Sequence, residues 1–516
     1  MTMNVFSVLL IVLLLASFDM KALGATTDRH RVDYLPGWGA PPTATYTGFV
    51  EVDAASETHL FFSLVESQGD PLRDPIVWWH NGGPGASSFA GLFSENGPLL
   101  LNASTETGEY SLMKNPYAWN LNANLLAVEY GPGIGYSYCA NSSFSETLDC
   151  KAADRAKGLC TPCWSSDSSV STQLSVFLET LLTKDGLFPH FAGKDLYLAG
   201  ESYAGVYVTT LAEKLLKNNA DTSIVNLRGI WITDPCLSND AQHGWLDLSP
   251  DFALEKGLIS RSTHNAIIQC TAAKTKVGDR VRRTDSSKCR SAWRVYDLAT
   301  GGLGDAVHPA PIPGLSMYID PLNAYGFSGG ADLPSYLGSQ SMRESLGAST
   351  SKNKNYMLEI GNNGYPQYTL EYAACNNAAS DDMRSMIDVY QSIFAMSRSG
   401  SKSAANLTQI VIVNGDIDPV IDMHGTEKTV EAFGFPEVST EPRRPWFFNS
   451  TRAPRGVLEA KPLAWGPTLT YKDAGAQVGG FVRRFDTNSS AQLRFVTVRA
   501  SGEYCFFFCC IMRSIF

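Results

Sequence analysis

The sequence predicts an α/β fold, a central and mostly parallel sheet flanked by helices, with a long helical and irregular insertion. Two observations carry this. Short apolar runs that stop at Gly, Asp, Asn or Pro alternate with longer segments of helical period, the rhythm of strands joined by crossover helices. A sharp Gly-Glu-Ser turn ends one of those runs and opens a helix, at Asp195–Gly205. With 516 residues, 44% hydrophobic and 18% charged, the chain can bury a large core.

Taken in order, Val8–Leu15 is an uninterrupted apolar run, followed by Lys21 and the small-residue pattern Ala22-Leu23-Gly24, so residues 1–24 read as a secretory signal peptide. The apolar stretch Val5–Phe18 is shorter than the roughly 18 residues a membrane span needs, so no membrane association is expected once the signal is removed. Gly48–Val52 and His59–Val65 read as a hairpin, and Pro75–Trp79 as a short strand ended by Asn81-Gly82-Gly83-Pro84-Gly85. Leu125–Val128, Asp195–Ala199, Ile230–Thr233, Gln409–Val413 and Leu493–Val498 are further strands, with helices over Val170–Leu182 and Val206–Leu216. Strand signals fade between Asn239 and Ser401. The expected division is therefore a first core part over 25–238, an insertion over 239–401, a second core part over 402–502 and an atypical tail over 503–516.

A net charge of −10 argues against a nucleic-acid partner. Eleven cysteines suit an oxidising compartment. Eight of them lie in the body, at 139, 150, 160, 163, 236, 270, 289 and 375, and disulfides are expected there without a pairing being readable. Asn102, Asn141, Asn406, Asn449 and Asn488 begin Asn-x-Ser/Thr sequons. No metal or cofactor is expected. Cys160 and Cys163 form a CxxC with no second half, Val420 stands where a third calcium ligand would follow Asp416 and Asp418, and Gly131, Gly133 and Gly135 lack the lysine of a phosphate loop.

Two Gly-x-Ser-x-Gly-like sites occur. Gly326-Phe327-Ser328-Gly329-Gly330 has neither a strand before it nor a helix after it and reads as a plain loop. Gly200-Glu201-Ser202-Tyr203-Ala204-Gly205 lies between a strand and a helix, as a nucleophile elbow requires, and its glycines leave room where side chains would crowd the turn. Upstream, Trp78-Trp79-His80-Asn81-Gly82-Gly83-Pro84-Gly85-Ala86-Ser87-Ser88 is a Gly-rich turn able to aim backbone N–H groups at an oxyanion.

Together with Asn115–Asn120, Glu129–Ser137 and Gly415-Asp416-Ile417-Asp418, these motifs resemble the serine carboxypeptidases of the α/β-hydrolase fold, from Asp33 to about Gly502. The resemblance implies release of C-terminal amino acids from peptides or proteins through an acyl-enzyme in a secreted or vacuolar/lysosomal setting, and acidic pH is expected because a substrate carboxylate beside Glu201 needs a shared proton. It makes Ser202 the nucleophile and Asp418 the carboxylate that orients a histidine, and it gives the oxyanion the amides of Gly83 and Tyr203. Asn81 and Glu201 would hold the substrate's free carboxylate, which restricts cleavage to the last peptide bond. An acyltransferase or esterase on the same scaffold needs the same parts.

The chain departs from that family at two places. Ala86 stands where the family's early motif has Cys, which removes one familial disulfide. Leu493–Gly502 matches the strand that leads into the catalytic histidine, yet position 503 is Glu. Neither His424, six residues after Asp418, nor His80, just before the Gly-rich turn, replaces it by position. The tail 503–516 is expected to be an intron read through rather than the natural end of an active serine carboxypeptidase, because Gly502-Glu503-Tyr504 can be encoded by a stretch containing GTGAGT, a splice-donor sequence. The alternative is a pseudoenzyme, which as written holds a peptide carboxylate and does not cleave.

Overall fold

The expected hairpin forms from β1 (Thr45–Asp53) and β2 (Thr58–Val65), paired antiparallel, with nearly every β2 side chain buried because both faces of the strand are covered. This computed structural model describes residues 30–103, 110–140, 165–218, 226–242, 250–270, 287–300, 333–351, 368–376, 379–380, 382–399, 406–418, 420–449, 476–499 and 501. The signal segment, the Gly326–Gly330 site, Cys150, Cys160, Cys163, Asn141 and residues 503–516 lie outside them.

The remaining strands are β3 (Ile76–His80), β4 (Leu99–Ala103), β5 (Tyr110–Lys114), β6 (Asn124–Glu129), β7 (Tyr138–Cys139), β8 (Ser165–Ser166), β9 (Asp195–Glu201), β10 (Asn226–Thr233), β11 (Tyr368–Thr369), β12 (Gln409–Gly415), β13 (Arg444–Asn449), β14 (Ala476–Phe485) and β15 (Gln492–Val498). The main sheet runs in the order β1-β2-β6-β3-β9-β10-β12-β15-β14-β13, with β7 beside β2. Strands β6 through β15 along this path are parallel, and antiparallel pairs close both ends. Each strand expected from the sequence is present. The β4–β5 hairpin and the β13–β14 edge are additions. The β14 edge depends on two glycines: a Cβ on Gly479 would meet the Trp446 ring at 2.1 Å, and one on Gly480 would meet the Thr497 carbonyl.

On one face, helices Asp167–Leu182, Ala204–Asn218 and Met386–Arg398 pack Phe177, Leu178, Leu211, Tyr390 and Phe394 over the sheet. Burying each such side chain stabilises the fold by roughly 1.5–3 kcal/mol. The first helix starts at Ser166, whose side chain accepts the Ser169 amide in a capping box. On the other face Phe89, Leu92, Tyr336, Leu337 and Met342 cover the sheet.

The stretch 239–401 is not uniform. Helix Met386–Arg398 belongs to the main core, and Tyr336–Met342 to the opposite face. Phe252, Ile259, Ile267, Trp293 and Tyr296 form a separate small cluster, tied by the Cys270–Cys289 disulfide. A second disulfide, Cys236–Cys375, joins residues 139 apart, and Cys139 is also disulfide-bonded. Among the described residues no helix is long and apolar enough to cross a membrane.

Candidate active site

The chain leaves β3 toward β6 on one side and later resumes at β9 on the other, so β3 and β9 flank the point where strand order reverses. Crevices at the carboxyl ends of strands form there. Ser202 follows β9 at that end with φ 56°, a left-handed conformation that a non-glycine residue adopts only at a cost. The turn is pinned on both sides. The Ser202 amide donates to the Thr233 carbonyl at 3.0 Å, and the Ser202 carbonyl accepts from the amides of Gly205 and Cys236, both at 2.9 Å. A Cβ on Gly200 would stand 2.6 Å from that of Ala204, and one on Gly205 would stand 2.6 Å from the Cys236 carbonyl. The second glycine of the elbow thus comes one position later than in Gly-x-Ser-x-Gly, and Ala204 is the residue that fits against Gly200.

The Gly-rich turn lies against this elbow. A Cβ on Gly82 would meet the Tyr203 amide nitrogen at 2.6 Å and the Ser202 Cβ at 2.7 Å, so the Asn81–Gly83 backbone passes directly beside the nucleophile. Gly83 takes φ 116°. Tyr130 donates its hydroxyl to the Gly82 carbonyl at 3.3 Å, and Ser87 donates to the buried Glu129 carboxylate at 2.8 Å. The hydroxyls of Tyr203 and Tyr368 both donate to Asp167, whose carboxyl burial pushes up to about 6.

Asn81 and Glu201 are brought together. The Asn81 amide donates to Glu201 Oε1, while Asn81 Oδ1 accepts from Trp79 Nε1 at 2.8 Å and the Gly91 amide at 3.0 Å, which fixes the amide's orientation. A third residue joins them that sequence reasoning missed. Glu95 is buried, hydrogen-bonds with Glu201 and Asn81, and is pushed up to about 7 by burial, the hydrogen bonds opposing the rise. Its signal was present: it is the lone charged residue in Phe89–Leu101.

Asp418 is fully buried after β12, its Oδ1 accepting the amides of Val420 (2.7 Å) and Ile421 (3.0 Å). The Asp416 amide donates to Val498 at 2.8 Å and the Ile417 amide to Ser501 at 3.1 Å, tying the Asp418 loop to the end of β15. Glu503 lies outside the described residues. His424 Nε2 is 2.7 Å from Glu255 on the outer surface. His80 is fully buried between Trp78 and Tyr130, and neither ring nitrogen has a hydrogen-bond partner among the described residues. Glu427, the twelfth residue counted from Asp416, is held by Arg443 and Arg483. Among the described residues no three His, Cys, Asp or Glu side chains gather as a metal site. A cleft of about 490 Å³ opens beside His424, lined by Asp251, Glu255, Asp422 and Lys428, and neither Ser202 nor Glu201 lines it.

A mostly parallel sheet with a strained serine at its reversal point and a glycine turn laid across it defines an α/β-hydrolase. The serine carboxypeptidase family model matches residues 36–505, and the chain belongs to that family of hydrolases. It is similar to the lysosomal protective protein of Mus musculus, 26% identical over 96% of this chain and 94% of the relative. It is also similar to serine carboxypeptidase-like 36 of Arabidopsis thaliana, 27% identical over 94% of this chain and 84% of the relative. A solved prohormone-processing carboxypeptidase of Saccharomyces cerevisiae shares the fold, with TM-score 0.63, 20% identity and 95% of each chain covered.

Proposed function

We propose that this site is built to remove the last residue of peptides and proteins through an acyl-enzyme on Ser202, with no metal or cofactor. Ser202 attacks the last peptide carbonyl, and the amides of Gly83 and Tyr203 receive the oxyanion. In a form that carries a histidine at position 503, Asp418 would orient it. Asn81 and Glu201, with Glu95, take the substrate's terminal carboxylate.

The observation that carries this reading is the buried Asn81–Glu201–Glu95 cluster immediately before the nucleophile. Carboxyls in hydrogen-bond contact accept a third only if a proton is shared among them, so binding is favoured at acidic pH. Hydrolysis of blocked dipeptides tests the reading on a form carrying a histidine at 503. Asn81→Ala or Glu201→Gln raises KM for peptides, whereas ester turnover indifferent to both changes points to an esterase or acyltransferase.

Glu503 favours one second reading, a chain that holds a peptide carboxylate and does not cleave it. A serine-reactive fluorophosphonate probe separates the two, because labelling of Ser202 requires an activated hydroxyl.

The proposed setting is the secretory pathway, with a secreted, vacuolar or lysosomal destination and a signal over 1–24. Two disulfides and exposed sequon residues Asn102, Asn406 and Asn488 support it. The proposed organisation is core segments 25–238 and 402–502 around an insertion over 239–401, of which helix Met386–Arg398 packs into the main core.

A further inference from the structure

We propose that Asp167 is a positioning residue for the oxyanion site: through the Tyr203 side chain it fixes the backbone amide next to the nucleophile. The proposal rests on the reading of the Tyr203 amide as an oxyanion donor.

Asp167 is the first residue of helix Asp167–Leu182, and its side chain is buried. Its Oδ1 accepts the hydroxyls of Tyr203 at 3.0 Å and Tyr368 at 2.7 Å, and its Oδ2 accepts the Tyr203 hydroxyl at 3.1 Å and the Glu371 amide at 2.7 Å. Among the described residues the Tyr203 hydroxyl bonds only to Asp167. Loss of that acceptor would leave a buried O–H group unsatisfied, which a packed interior relieves only by moving the ring.

Tyr203 can shift its ring little without shifting its backbone. The residue is fully buried, and its ring stands edge-on to Tyr207 at 5.2 Å and to Tyr368 at 6.3 Å. It directly follows Ser202, whose φ is 56°, and its amide nitrogen lies 2.6 Å from where a Cβ on Gly82 would stand. An oxyanion donor must be held at hydrogen-bond distance from the developing charge, so a displacement of about 1 Å removes most of its effect.

The anchor of Asp167 is reciprocal. Asp167 takes the Glu371 amide, while the Glu371 carboxylate takes the Ser168 amide at 2.7 Å and the Ser168 hydroxyl at 3.0 Å. Strands β8 and β11 pair just before these residues. Further along the same segment, Cys375 is disulfide-bonded to Cys236, whose amide holds the Ser202 carbonyl. The segment Tyr368–Cys375 therefore reaches the elbow by two routes, and the one through Asp167 ends on Tyr203.

Tyr203→Phe removes only the hydroxyl, and Asp167→Asn replaces one acceptor oxygen by an N–H2 group that faces donors. In the full chain carrying Glu503→His, each is expected to lower kcat for blocked dipeptides about tenfold or more with KM within about twofold of the parent, because the lost contact acts in the transition state. The double variant loses no more than either single one. A parental kcat in either single variant, a rise in KM at unchanged kcat, or additive losses in the double variant overturns the proposal. Hydrogen exchange followed by mass spectrometry on the full chain, with Glu503 in place, reads the same link without turnover. Exchange over Gly200–Gly205 is expected to quicken about tenfold in both single variants, with the rest of the sheet unchanged. Unchanged elbow exchange, or equal quickening throughout the chain, overturns the proposal. Absence of hydrolysis by the Glu503→His form counts against the peptidase reading alone, and the exchange measurement then decides this one.

Discussion

The Ile417 amide donates to the Ser501 carbonyl at 3.1 Å, so the loop that carries Asp418 hangs on the residue two before Glu503. The acid's position and the start of the expected histidine loop are thereby fixed to one another. Glu503→His tests whether a base at that position activates Ser202. Fluorophosphonate labelling of Ser202 is expected to rise by on the order of 10² or more in Glu503→His. Ser202→Ala abolishes it. Equal labelling of the parent and Glu503→His would remove position 503 from the site.

The Glu95–Glu201 pair sets a second pH dependence. Burial holds the Glu95 carboxyl near 7, above its ordinary 4.5, so the folded chain keeps a proton that the unfolded chain loses. Stability from this group is complete below about 4.5 and declines as pH rises through about 7. Glu95→Gln keeps a neutral side chain at every pH and should flatten that decline in thermal melts. The same variant, in the histidine-bearing form, should extend peptide binding toward neutral pH. A KM that keeps the parent's pH profile would detach Glu95 from the carboxylate site.

His80 acts in the opposite direction. Burial lowers its imidazole to about 3, from an ordinary 6.5, so the folded chain refuses a proton that the unfolded chain takes up. Stability falls as pH drops from 6.5 toward 3, and at about pH 4.5 the loss is about 2–3 kcal/mol. His80→Leu should therefore raise the chemical-denaturation midpoint chiefly in acid. A gain of equal size at acid and neutral pH would assign the effect to packing alone.

Gly82 leaves no room for a methyl group. The Tyr203 amide and the Ser202 Cβ stand 2.6 and 2.7 Å from where its Cβ would be. Gly82→Ala should push the Gly-rich turn off the elbow, lower stability by about 1–3 kcal/mol and suppress any labelling of Ser202. Stability and labelling like the parent's would show that the turn can move without consequence.

By itself the sequence determined the alternation of strands and helices, the elbow around Ser202 and the Gly-rich turn, because apolar period and glycine punctuation are local properties of the chain. It pointed to Asn81, Glu201 and Asp418 through the resemblance. The tertiary structure alone decided two things. It brought Glu95 onto Glu201 and placed helix Met386–Arg398 in the main core rather than apart from it. Glu95 and Glu201 are more than a hundred residues apart in sequence. What makes them a unit is shared burial, which raises the cost of charge only once the sheet has closed over it. No local pattern records that cost, since a carboxyl that will be buried reads in the sequence like any exposed one.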